Sequence, residues 1–113
     1  AAAIAAELQR IRMKLVYKAW AEALAERALA LKAIEDAKSE GRDTTNAEKE
    51  IAIIDYQLLK GGQEVLAGNL SQAIQHFKHA FAHSHHAIQK ARDPTWNIVG
   101  YRDWIDTLEV MDP

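Results

Sequence analysis

Cysteine is absent from this 113-residue chain, which excludes disulfides, thiolate metal sites, covalently attached c-type haem and cysteine nucleophiles. Proline occurs twice and glycine five times; with no clustering of β-branched residues, this scarcity favours an all-α chain. No apolar run approaches the ~18 residues needed to cross a bilayer as a helix. An excess of basic charge is also missing: the formal net charge of −2 argues against a dedicated nucleic-acid binder. The length suits one domain with a real but modest core. The start AAAIAAEL has no methionine. Signal-peptide removal leaves such a start, so an exported, periplasmic protein is expected, with the cytoplasm as the alternative.

What the chain does contain is helix. Residues 2–40 hold neither glycine nor proline, and Gly41 stands where a left-handed residue would end the first helix. Thr45 and Glu48 have capping-box spacing for a second helix, whose Ala47, Ile51, Ile54, Leu58, Gly61 and Val65 form one apolar stripe. Gly68 closes that helix, and Asn69 with Gln72 opens a third that runs to about Ala91. Asp93-Pro94 reads as a further start signal. Tyr101, Trp104, Ile105, Leu108 and Met111 then mark a short amphipathic C-terminal helix. Short connections make neighbouring helices antiparallel. The expected fold is an all-α, three-helix, up-down-up antiparallel bundle forming one domain over residues 1–113. It has a long first helix and an aromatic tail over 92–113.

Pairing about Gly41 sets the end of helix 2 beside Trp20. Residues 1–19 are then expected to overhang, by on the order of 25 Å at ~1.5 Å per residue. Ile4, Leu8, Ile11 and Leu15 line one side of the overhang, and Met13, Val16 and Trp20 another. Two apolar sides are hard to leave in water, so a second chain is expected to cover them; the alternative is a break near Ala19 that lets the helix pack on itself. Gly61-Gly62 costs roughly 2 kcal/mol against alanine within a helix. Pairing about Gly68 puts Phe77 opposite, which predicts a ring seated on bare backbone.

All five histidines fall between His76 and His86. On helix 3 the apolar side is Ala73, Ile74, Phe77, Ala80, Phe81, Ala87, Ile88 and Ala91. At about 100° per residue His79, His83 and His86 point away from it, while His76 and His85 flank it. The stripe is therefore expected on the surface. His79 and His83, at i and i+4, form a chelating pair for Zn²⁺ or Cu²⁺. Between Ser71 and Arg92, however, there is no acid to orient them, and no Glu-x-x-His or zinc-protease motif occurs anywhere. As a docking surface the stripe responds to pH, because protonating all five imidazoles takes the net charge from −2 to +3. Ser39, Ser71 and Ser84 lack a base-plus-acid constellation, so no enzyme is expected.

The stretch LAGNLSQAIQHFKHAFAHS, Leu66 to Ser84, resembles the turn and second helix of a tetratricopeptide-type repeat. Gly68-Asn69, Ala73, Phe77 and Ala80 stand where that family places its turn, small, aromatic and small residues. The family's Trp and Tyr pattern in the preceding helix, its closing proline and a second copy are missing. The resemblance implies a protein-binding or scaffolding role.

The expected function is a non-catalytic interaction subunit that docks on a larger protein, in one reading an exported redox complex, or self-associates. Its first contact residues are Ile4, Leu8, Ile11, Leu15, Trp96, Tyr101 and Trp104, followed by His76, His79, His83 and His86. No cofactor, nucleic acid or membrane span enters this reading. The runner-up is a metal-binding or metal-buffering module that uses the surface histidine stripe, with His79 and His83 as ligands of Zn²⁺ or Cu²⁺.

Overall fold

The computed structural model describes residues 2–96. The aromatic tail beyond Trp96, including Tyr101, Trp104 and the expected short helix, lies outside the described residues. Three helices make up the described chain, α1 (Ala2–Ser39), α2 (Thr45–Leu66) and α3 (Leu70–Arg92). They form the all-α, up-down-up bundle with a long first helix. α1 is unbroken at Ala19, and its 38 residues account for the 60 Å long axis of the molecule.

Both turns are closed by glycine in the left-handed region, Gly41 at φ 78° and Gly68 at φ 80°. Each ends its helix in a Schellman motif. The Gly41 and Arg42 amides donate to Lys38 and Ala37 carbonyls, at 3.0 and 2.9 Å, and the Gly68 and Asn69 amides to Val65 and Glu64, at 3.1 and 2.9 Å. The start of α2 differs from the expected capping box. Thr44 occupies the N-cap position without a side-chain cap bond, and Thr45 N donates to Asp43 Oδ1 at 2.9 Å instead. Glu48 is drawn to Lys38 Nζ at 2.5 Å. Asp43 thus takes the Thr45 amide, and Lys38 on α1 draws the Glu48 carboxylate. Asn69 is the N-cap of α3, likewise without a side-chain cap bond. Asp93-Pro94 opens a turn, with Asp93 Oδ1 accepting from Thr95 N at 3.0 Å and Thr95 Oγ1 at 2.7 Å.

α3 is the helix on which the other two pack, whereas α1 and α2 meet far less, despite the short loop between them. On α1 the residues buried against this core include Val16, Ala23, Ala30 and Ala37, spaced by seven. Their small size lets α1 approach α3 closely. The α1–α2 seam carries ion pairs, Arg27 Nε–Asp55 Oδ1 at 2.7 Å and the Lys38–Glu48 bridge. Arg42 bonds its Nη1 to the Ala91 and Arg92 carbonyls at 3.4 and 3.3 Å, tying the first turn to the last carbonyls of α3.

At the centre, Phe77 is fully buried and stacks on Trp20 with ring centroids 4.8 Å apart and planes 15° from parallel. Gly61 lies beneath the Phe77 ring, so a Cβ there would sit inside the van der Waals envelope of Cε1. A Cβ on Gly62 would meet Trp20 Cζ2 at 3.8 Å, an ordinary contact. The two glycines therefore separate by experiment. Gly61→Ala should lose about 1–2 kcal/mol net of its helix-propensity gain, while Gly62→Ala should gain about 0.5–1 kcal/mol. Urea unfolding of both variants checks this, and a stabilised Gly61→Ala would contradict the close approach.

The overhang is shorter than pairing about Gly41 alone predicts. Val16 is fully buried, and Met13 packs partly buried against the core. The pairing rule stopped at the last helical residue of α2, but the turn after Leu66 and the first residues of α3 continue along α1 as far as Met13. Gln9 and Arg12 border a shallow recess with Gly68 to Gln72. Ala2 to Arg12 are all exposed, a length of about 16 Å at ~1.5 Å per residue.

Candidate functional site

The histidines are not arranged as a surface stripe. His86 is 2% exposed, and His76, His79, His83 and His85 are half-buried. The apolar residues of α3 mark only part of its buried arc. Because α3 packs on two helices, that arc is wider, and its α2 flank is where most of the histidines stand. His76 Nδ1 lies 2.7 Å from Gln57 Oε1 on α2. His85 lies on the other flank, in a recess bordered by Ala33 and Ala37 of α1.

The chemistry gathers around Glu50, a buried carboxylate on α2. Its Oε1 accepts from Lys90 Nζ at 2.7 Å, and its Oε2 lies 2.7 Å from His83 Nδ1. The same Oε2 is 4.0 Å from His86 Nδ1. Antiparallel pairing about Gly68, which sets Gly61 against Phe77, continues to Glu50 opposite the α3 face that carries His83, His86 and Lys90, at i, i+3 and i+7. The rings of His83 and His86 meet edge to face at 5.3 Å and 76°, and the Trp96 ring stands 5.2 Å from His86. Trp96 thus joins the histidines; it does not join Ile4, Leu8, Ile11 and Leu15, which lie far along α1.

The protonation states follow from this setting. Burial raises the Glu50 carboxyl, but hydrogen bonds from His83 and Lys90, with their charges, outweigh it and hold Glu50 below the usual carboxylate range. For His86 burial dominates. It lowers the ring from 6.5 to about 4 against the opposing pull of Glu50, and His83, Lys90 and His85 add to the lowering. At neutral pH the cluster holds an ionised Glu50 and a neutral His86, which therefore forms no ion pair with the carboxylate. Since an ionised carboxylate has no hydrogen to give, His83 Nδ1 is the donor in their bond.

The expected metal pair is regrouped. Three ligand-capable atoms, from Glu50, His83 and His86, lie within 4.8 Å of one another, and His79 is not among them. Sequence reasoning missed Glu50 because it looked for an acid only within helix 3. The signal was present: an acid three residues after Ala47 and four before Ile54 stands beside the apolar stripe of α2. Ser84 is fully buried, and its Oγ donates to Ala80 O of its own helix at 2.8 Å.

A separate feature is apolar and exposed. Ile4, Leu8 and Ile11 are 65%, 48% and 45% exposed. Leu15, next on the same line, is half-buried. With Leu15 they form a four-three-four seam turned roughly 90° around α1 from the Val16–Ala37 side, at 100° per residue. Tyr17, Leu59 and Leu66 make a second exposed apolar surface, in the groove where α1 and α2 stand apart. No helix among the described residues is long and apolar enough to cross a membrane. Comparison of the chain with protein-family models, curated proteins and solved structures gave no match.

Proposed function

We propose that this chain is a non-catalytic interaction subunit whose docking element is the start of α1. The observation that carries this reading is the exposure of Ile4, Leu8 and Ile11 on a part of α1 that α2 and α3 do not cover. Because that seam is turned away from the Val16–Ala37 side, a partner helix can lie along it without meeting the bundle. The four-three-four spacing is that of a coiled-coil seam, and the partner that matches it best is a second copy of this chain. Glu7 and Lys14 flank the seam with opposite charges, so two antiparallel copies set each against the other. The tetratricopeptide-like spacing of Leu66 to Ser84 adds a family precedent for protein binding.

The test is sedimentation equilibrium of the wild type beside a Leu8→Asp/Ile11→Asp variant. We expect concentration-dependent association of the wild type, a monomeric variant and, at a dilution where the wild type is also monomeric, unfolding free energies within about 0.5 kcal/mol of each other, as befits exposed positions. A wild type that stays monomeric, and that captures the same proteins from its native source as the variant does, would overturn the reading. The runner-up, metal binding, draws support from the Glu50–His83–His86 cluster.

A further inference from the structure

We propose that Glu50 Oε2, His83 Nδ1 and His86 Nδ1 form a binding site for one divalent transition ion of the Zn²⁺ class, with Lys90 as the internal cation that the ion displaces. The site deepens the metal reading and is independent of docking through α1. Two imidazole nitrogens and one carboxylate oxygen are a donor set that suits Zn²⁺ or Cu²⁺ over Mg²⁺ or Ca²⁺. Donors about 2.0–2.1 Å from a tetrahedral ion stand roughly 3.4 Å from one another. The separations from Oε2 of 2.7 Å to His83 and 4.0 Å to His86 straddle that value. With all three ligand atoms within 4.8 Å of one another, shifts of no more than about 1.5 Å bring them onto one ion.

The donors are also held before any ion arrives. Glu50 and His86 side chains are 7% and 3% exposed. They project from two helices whose register is set by the Gly68 turn and by Phe77 on Gly61. His83, at 18% exposed, is the side of the cluster that opens to solvent and so the path by which an ion enters. To bind, His83 must leave Nδ1 without a hydrogen so that its lone pair faces the ion. Lys90 is both a support and a competitor. Its ammonium holds Oε1, which leaves Oε2 facing the two rings. A dication beside it is repelled, and Lys90, already 17% exposed, withdraws toward water.

That competition makes the site distinguishable from adventitious chelation by surface histidines. Calorimetric titration of the full chain with Zn²⁺ should show one ion per chain with a Kd below about 1 µM. Glu50→Gln and His86→Gln should each weaken it more than about 100-fold, beyond the usual loss of an outer partner. Lys90→Gln, which removes the competing charge, should strengthen it severalfold, whereas His85→Ala should leave it unchanged. If Glu50→Gln fails to fold, His86→Gln and Lys90→Gln still move the affinity in opposite directions. In ¹⁵N-resolved spectra Zn²⁺ should shift the Nδ1 resonances of His83 and His86. Binding no tighter than about 10 µM, or an affinity that survives His86→Gln but is lost in His79→Ala, would overturn the proposal.

Discussion

Replacing Glu50 with alanine should cost the fold about 2–4 kcal/mol. The figure lies somewhat below that of a fully buried pair because Lys90 and His83 keep some access to water. The loss does not measure an attraction. Glu50 is the acceptor for both Lys90 Nζ and His83 Nδ1, and removing it leaves a half-buried cation and a half-buried donor without that acceptor at the α2–α3 seam. The same logic predicts that the loss is recoverable. Glu50→Leu with Lys90→Met replaces the ion pair by apolar side chains, and most of the stability should return. Urea unfolding of the single and double variants reads both quantities. A single-variant loss under about 1 kcal/mol would mean that the pair is solvated and exerts no hold on the seam.

Acidification should destabilise the metal-free protein, held in a chelator, by roughly 3 kcal/mol between pH 6.5 and 4, at about 1.4 kcal/mol for each pH unit that separates folded from unfolded titration. The sign follows from where His86 takes up its proton. In the unfolded chain it does so near 6.5, and in the fold only near 4. Between those values the unfolded state binds more protons, so stability rises with pH across the window, is complete above it, and is gone below it. Glu50 acts in the same direction at lower pH. Its folded carboxyl titrates below its unfolded value, so its contribution is present above the unfolded range and fades as pH falls through the folded one. Unfolding free energies measured from pH 4 to 8 should therefore slope in the wild type and flatten between about 5 and 6.5, above the carboxylate range, in His86→Leu. A slope retained in that variant would assign the effect elsewhere.

Three helices, the glycine-closed ends of the first two and the seating of Phe77 on Gly61 are all legible in the sequence, because each rests on local chemistry or on one short turn. What was misread depends on how many neighbours an element has. The apolar residues of α3 alone mark one buried side. The helix packs on both α1 and α2, so histidines beside that side become interior, and His86 is among the most buried polar residues. The overhang is shorter than a count of helical residues implies for a related reason, since the α2–α3 turn reaches further along α1. Glu50 escaped notice because charge is normally read as exposure. A buried carboxylate becomes intelligible only once its cation and its imidazole are brought from forty and thirty-three residues away.

The exposed start of α1 is continuous with a helix clamped from Val16 onward. Helix formation is costly to nucleate and cheap to propagate. The clamped portion supplies the nucleus, and Ala2, Ala3, Ala5 and Ala6, with the Glu7–Arg10 pair, extend it through the residues of best intrinsic propensity. A partner therefore meets a rod that is already ordered. Association loses little conformational entropy, unlike the coupled folding of a disordered tail, and the apolar area it buries goes into affinity with only a small deduction for ordering.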